Sequence, residues 1–435
     1  MSKFKWTNES VARFSEGDDP VTAMENKARS LALGAIDEGW TGPPFDPLAL
    51  AELLGIPTEA RGDIPDARTV PVSRSKLLLE YNPLRPRGRL RFSVAHEIAH
   101  TLFPDCAQAV RNRGVHQTET DNWQLEVLCN IGAAELLMPL GSFSNLAGQT
   151  LSIENVLKLR KEFDVSVEAC MIRLVKLSRQ PVAAFCASAH GEGKYKIDYV
   201  IPAAGWEPPV NVGATVPADS VVRDVSAIGY TAVGNETWGL DVAVRVECVG
   251  LSPYPGQMNP RVVGLLLPKS SRGFDAPTLK ELKGDALKPT KRQGRRIVAH
   301  VVPNTNSLWG GGGFASQVRQ RFPQVFSTYR QEVAKSGGFP KLGATFLGAL
   351  EEDTLIVHMV AQAGIGATTN QRLRYSALAQ CLGELREVAH SNGASVHMPR
   401  IGTGHGGANW DIVKELITSE LVDKGIDTTV YQRPS

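Results

Sequence analysis

The chain has 435 residues, too many for one ordinary hydrophobic core, so two or three domains are expected. Apolar residues make up 42% and charged residues 21%, with a net charge of +2. That balance fits a soluble globular protein and excludes binding driven by a global field of one sign, to nucleic acid or to a membrane surface. The N-terminus shows no signal-peptide pattern, and no segment approaches the ~18 apolar residues of a membrane span. The six cysteines are scattered without a Cys-x-x-Cys pair, which predicts reduced, mostly buried thiols and a cytoplasmic location.

In chain order, helical spacing predicts helices within 19–36 and 46–56, the second opened by Asp-Pro. Short strands are expected across 67–82, then helices over 90–103 and 118–139. Two more helices follow in 151–178, broken at Asp164–Ser166. After Ser178 the texture turns strand-like, at 181–189, 194–204, 241–251 and 261–268. The segment "KSSRGFDAPT" (269–278) reads as a linker, and "KRQGRR" (291–296) as a solvated loop. Beyond it, strands at 278–285, 295–302, 354–362, 394–402 and 427–432 alternate with helices at 314–333, 373–392 and 409–423. Such alternation implies an α/β sandwich. The expected organisation is therefore three parts: 20–178, a β-rich middle region at 180–268, and 278–435.

The stretch "RFSVAHEIAHTLFPD" (91–105) contains His-Glu-x-x-His. On a helix, His96 and His100 share a face, and their ring nitrogens can meet one zinc ion. Glu97 then lies beside the metal rather than on it, placed to take a proton from an attacking water. A catalytic zinc needs a third protein ligand. His116, Glu119, Asp121, Glu126 and Glu135 are the candidates, and Glu126 is preferred because it lies within a strongly helical run. Glu135, further along the same helix, is the next choice.

Together with "FDPLALAELLGI", "ExxCNxxAAELLMP" (126–139) and "FDVSVEACMIRLVKL", this motif resembles the ImmA/IrrE family of zinc metallopeptidases. The resemblance covers 25–178 and implies a helical, zincin-like fold. It implies that His96, His100 and Glu126 bind zinc and that Glu97 is the general base. Cys129 and Gly132 depart from the family, which usually has alanine and an aromatic residue there. The implied substrate is a regulatory protein, such as a transcriptional repressor. Residues 151–178 could also form a helix-turn-helix-like unit. Only Lys158, Arg160, Lys161, Arg173 and Lys176 offer charge for DNA phosphates, so plain packing on the peptidase is the preferred reading.

Two glycine clusters, "NTNSLWGGGGF" (304–314) and "RIGTGHGGANW" (400–410), each follow a strand and precede a helix. Backbone N–H groups at such junctions can hold a diphosphate. With "LKGDAL" they make residues 278–435 resemble a macro domain, a three-layer α/β/α fold that binds ADP-ribose, nearest the branch of terminal ADP-ribose glycohydrolases. The resemblance implies Asp285 on the adenine amino group and Asn304 and Asn306 near the distal ribose. Gly311, Gly312 and Gly313, with Gly402, Thr403, Gly404, His405 and Gly406, would surround the diphosphate. Glycohydrolases of this branch use a lysine and an aspartate where this chain has Gln362 and Gly406. Binding of ADP-ribose or of an ADP-ribosylated macromolecule is therefore the preferred reading. An ADP-ribosyl hydrolase or reader, with the peptidase part as a targeting element, is the alternative. For hydrolysis, His300 and His405 are the remaining groups with useful proton chemistry.

Overall fold

The computed structural model describes residues 5–73, 76–107, 111–112, 122–143, 151–191, 194–225, 227–239, 242–254, 258, 260–269, 279–288, 294–305, 309, 313–365, 370–404 and 406–432. The chain divides into two compact units. One comprises 1–25, 41–138 and 145–276, and the other 26–40, 139–144 and 277–435. Residues 270–278 of the expected linker and 291–293 of "KRQGRR" lie outside the described residues, and Arg296, expected in the loop, opens a strand.

The N-terminal part runs α1 (Glu9–Ser15), α2 (Pro20–Asp37), α3 (Pro47–Leu53), β1 (Thr58–Ala60), β2 (Ala67–Ser73), β3 (Lys76–Tyr81), α4 (Arg87–His100), β4 (Arg111–Asn112) and α5 (Asn122–Leu137). Asp46 caps α3, accepting from Leu48 N at 3.0 Å, with Pro47 at the first helical position where its missing N–H costs nothing. The four strands pair in the order β1-β3-β2-β4. Helices α4 and α5 bury Val94, Ala95, Ile98, Ala99, Leu128, Ala133 and Leu136. Gly132 sits where a Cβ would come within 2.8 Å of Ala99 Cβ and 2.9 Å of Met24 Sδ, so only glycine lets α5 approach α4 this closely.

Next come α6 (Ile153–Glu162) and α7 (Val167–Leu177), capped by Ser152 and Ser166. The middle region is one antiparallel sheet of β5 (Ala183–Ala189), β6 (Tyr195–Pro202), β7 (Thr231–Trp238), β8 (Val242–Leu251) and β9 (Arg261–Pro268), in the order β6-β5-β9-β8-β7. Its core gathers Phe185, Ile197, Val222, Trp238, Val246 and Leu266. The pair α6–α7 is tied to this sheet. Ile153 N donates to the buried Glu247 at 2.9 Å, and Glu168 accepts from Tyr199 Oη at 2.7 Å. Two of the five cations offered for phosphates are committed locally: Arg173 to Glu135 at 2.6 Å and Lys176 to Glu25 at 3.8 Å.

The C-terminal unit holds β10 (Lys280–Lys283), β11 (Arg296–Pro303), α8 (Gly313–Arg321), α9 (Pro323–Lys335), β12 (Thr345–Glu351), β13 (Thr354–Gln362), α10 (Tyr375–Asn392), β14 (Ser395–Pro399), α11 (Trp410–Glu420) and β15 (Thr428–Gln432). The sheet order is β10-β15-β14-β11-β13-β12, all parallel except the β12–β13 pair. The single helix expected over 314–333 is two, because Pro323 lacks the N–H to continue α8 and instead opens α9. Asp37, at the end of α2, caps α10 in this unit. It accepts from Tyr375 N at 2.8 Å, Ser376 N at 3.0 Å and Ser376 Oγ at 2.6 Å. Burial pushes its carboxyl above the usual range, against the opposing pull of those hydrogen bonds.

All six cysteines are free thiols, five of them buried. Among the described residues no helix is long and apolar enough to cross a membrane.

Candidate functional site

The His-Glu-x-x-His motif forms the last turn of α4, and its three polar residues are buried: His96 1% exposed, Glu97 0%, His100 0%. Charged and polar groups at that depth require partners. Glu126, one turn into α5, supplies them. One carboxylate oxygen lies 3.0 Å from His96 Nε2 and the other 3.5 Å from His100 Nε2. Both imidazoles therefore present the same nitrogen to one carboxylate. The opposite nitrogens are fixed from behind, His96 Nδ1 by Asn130 Oδ1 at 3.0 Å and His100 Nδ1 by Cys129 Sγ at 3.2 Å. Such outer contacts select the tautomer and aim Nε2.

His96, His100 and Cys129 are the one group of three buried metal-capable side chains among the described residues, with donor atoms within 4.8 Å of one another. The hydrogen bonding assigns Cys129 otherwise. Its sulfur is on the Nδ1 side of His100, and Glu126 is on the Nε2 side of both rings. Two imidazole nitrogens and a carboxylate converge as a catalytic zinc site requires, so the residues fit the metal. Glu135 is not available to it: 1% exposed, it is ion-paired with Arg173, whose Nε also donates to Met138 O at 3.2 Å. His116, Glu119 and Asp121 lie outside the described residues.

Sequence reasoning missed one member. Thr69 of β2, 1% exposed, donates to Glu97 Oε2 at 2.8 Å. Nothing in the local sequence marks it, because the contact crosses from a strand to the helix that follows the next strand.

In the C-terminal unit, the loops after β10, β11, β13 and β14 all leave the same edge of the sheet, since these strands are parallel. The carboxyl edge of a parallel sheet is where ligands bind in open α/β folds. Asp285, after β10, accepts from Leu287 N at 3.0 Å and pairs with Arg321 at 2.7 Å. Asn304, after β11, holds the loop after β13 through Gly364 N at 2.9 Å, and Gln362 Nε2 donates to Gly364 O at 3.0 Å. Gly313 opens α8 with φ +74°. Asn306, Gly311, Gly312 and His405 lie outside the described residues. His300 is not at that edge. It is 1% exposed and packs against His358, ring nitrogen to ring nitrogen at 2.6 Å, where burial lowers its pKa to about 3.

The loop after β14 is wound tightly. Ala408 N donates to Gly402 O at 3.0 Å, Gly407 N to Gly404 O at 3.1 Å, and Arg372 N and Leu373 N both donate to Gly406 O. Thr403 Oγ1 closes onto Arg400 O at 3.3 Å. A Cβ at position 406 would stand 2.5 Å from Gly402 O. An aspartate there is thus excluded by shape. Gly406→Asp is expected to destabilise this unit by about 1–3 kcal/mol and to abolish ADP-ribose binding without creating turnover, as calorimetry and an ADP-ribose release assay would show.

Comparison with known proteins matches residues 59–175 to the IrrE N-terminal-like domain and residues 301–417 to the macro domain. The radiation response metalloprotease IrrE of Deinococcus deserti is 31% identical over 161 residues, 33% of this chain and 54% of that protein. A chromodomain-helicase-DNA-binding protein 1-like of Danio rerio is 28% identical over 169 residues, 37% of this chain and 16% of that protein. The chain thus spans well under two thirds of these relatives. A macrodomain protein from Streptomyces coelicolor is 32% identical, with 35% of this chain and 98% of that chain covered and a TM-score of 0.31. The chain carries an IrrE-like metallopeptidase domain and a macro domain.

Proposed function

We propose that the chain is a zinc-dependent endopeptidase that cleaves a regulatory protein in the cytoplasm, and that its macro domain binds ADP-ribose or a related nucleotide that controls or targets the cleavage. The observation that carries the reading is Glu126 facing the Nε2 atoms of both His96 and His100. His96, His100 and Glu126 would hold the zinc, which supplies Lewis acidity at the scissile carbonyl. Glu97 receives the proton of the attacking water and passes it to the leaving amine. Thr69 fixes one Glu97 oxygen and so sets the direction of the other. Asn130 and Cys129 keep the two rings from turning.

For the macro domain, binding without turnover is favoured by the closed geometry at Gly406 and by Gln362, an uncharged amide engaged with Gly364. Control by the nucleotide requires that it bind the active and inactive arrangements with different affinity. Cleavage of a candidate repressor should change rate when ADP-ribose is titrated to saturation. Equal rates throughout would remove ADP-ribose as the controlling ligand. Thr69→Val is expected to lower kcat about 10–100-fold with KM and zinc content unchanged, and Thr69→Ser to restore it. Steady-state kinetics alongside metal analysis checks this.

A further inference from the structure

The opposite edge of the macro sheet carries a second cluster with chemistry of its own. β14 opens with Ser395, and alternation along a strand puts His397 on the same face. Ser395 Oγ lies 2.9 Å from His397 Nε2, and His397 Nδ1 lies 3.2 Å from Tyr431 Oη on the neighbouring β15. His397 and Tyr431 are 2% and 5% exposed, so two members of the chain of hydrogen bonds are held rigidly inside the sheet. Ser395 is only half-buried. It lines a cavity of about 330 Å³ together with Arg295, His390, Gly393, Gly425 and Asp427. That volume falls within the roughly 300–1,000 Å³ range of small-molecule sites.

The cavity is at the amino ends of β11, β14 and β15, and the glycine loops leave their carboxyl ends. It is therefore separate from the nucleotide site. Its charge is also biased. Asp427 is matched by Lys280 at 2.6 Å, whereas the Arg295 guanidinium donates to the neutral Asn392 side chain at 3.0 Å. A small anionic group is the ligand that such a lining favours.

We propose that Ser395 is the nucleophile of a second site, with His397 as its base and Tyr431 as the group that orients the base, acting on a small ester that bears a negative charge. The arrangement has the nucleophile–base and base–orienter contacts that such chemistry requires. In the active tautomer Nδ1–H donates to Tyr431 Oη and leaves the Nε2 lone pair toward Ser395. The Ser395 hydroxyl proton passes to Nε2 as Oγ bonds to the ester carbonyl carbon. The alcohol departs with that proton, leaving an acyl-serine. Water then attacks the acyl carbon and gives a proton to Nε2. Oγ leaves the carbon and recovers it, so ester and water become acid and alcohol.

The test treats the full-length chain with a fluorophosphonate, which loses fluoride when a nucleophilic serine bonds to its phosphorus, and maps the adduct by peptide mass spectrometry. The expected result is a single adduct on Ser395, absent in Ser395→Ala and at least ~100-fold slower to form in His397→Gln. Tyr431→Phe, which removes one hydroxyl, is expected to slow it measurably and serves if His397→Gln does not fold. Chelating the zinc should leave labelling unchanged, which separates this site from the peptidase. Arg295→Gln should slow hydrolysis of the 4-nitrophenyl monoester of succinic acid more than that of 4-nitrophenyl acetate. No adduct on Ser395, or equal labelling rates in wild type and both His397→Gln and Tyr431→Phe, would overturn the proposal.

Discussion

Replacing His100 or Glu126 by alanine is expected to strip the metal from the purified protein, whereas replacing Cys129 by alanine is expected to leave it bound. The two outcomes follow from which side of the imidazoles each group occupies. Glu126 faces Nε2 of both histidines, and Cys129 sits on the Nδ1 side of His100. Loss of a direct ligand should weaken zinc binding by more than the roughly 10–100-fold that removal of an outer partner costs. Cys129→Ala should stay within that smaller range. Metal analysis after dialysis against a weak chelator separates them. Stoichiometric zinc retained in Glu126→Ala but lost in Cys129→Ala would transfer the third ligand to the cysteine. Glu97→Gln should keep its zinc and lose about 10²–10⁴-fold in turnover, the contribution of a positioned general base.

Trp309→Ala is expected to cost the macro unit about 3–5 kcal/mol, the usual penalty for emptying a large aromatic site. Trp309 belongs to the first glycine cluster, yet it is 1% exposed. Its ring packs 5.3 Å from His300, 4.9 Å from His358, 4.8 Å from Phe326 and 5.1 Å from Tyr329, centroid to centroid. Thermal unfolding should show a lower midpoint, and ADP-ribose affinity should fall with it. The same pocket has a pH signature. Burial holds the pKa of His300 at about 3 and that of His358 well below its usual value, so the native chain refuses protons that the unfolded chain accepts. Their contribution to stability is complete above the unfolded value near 6.5 and is lost as pH falls from there towards 3. Urea midpoints measured between pH 7 and 4 should therefore decline.

The candidate metal site was legible because its parts are local. His96, Glu97 and His100 are one helical turn, and Glu126 is one of only two acids in α5, the other being Glu135. What surrounds them was not. Thr69 acts only once β2 and α4 are packed, and no spacing betrays it; Cys129 and Asn130 share the helix face of Glu126, but their contacts to His100 and His96 arise only when α5 packs on α4. The strands β7 and β12 escaped notice for a different reason. Both are edge strands with alternating exposure, and their mixed sequences lack the continuous apolar runs of the buried strands beside them. In the macro unit the resemblance located the loops, but packing fixed what they can do. The impossibility of a side chain at position 406 depends on a carbonyl four residues earlier.

The macro unit is less portable than its sequence boundaries suggest. Helix α10 begins on a carboxylate, Asp37, that arrives from a point more than three hundred residues upstream. Glu420 of α11 rests between Arg386 and a second upstream residue, Arg29, at 3.0 and 2.9 Å. A fragment excised at residue 277 would begin with α10 uncapped, at a cost of about 0.5–2 kcal/mol. Evolution by simple addition of a ready-made module would leave no such debt at the N-terminus. Here residues 26–40 are as much a part of the macro unit as the helices they brace.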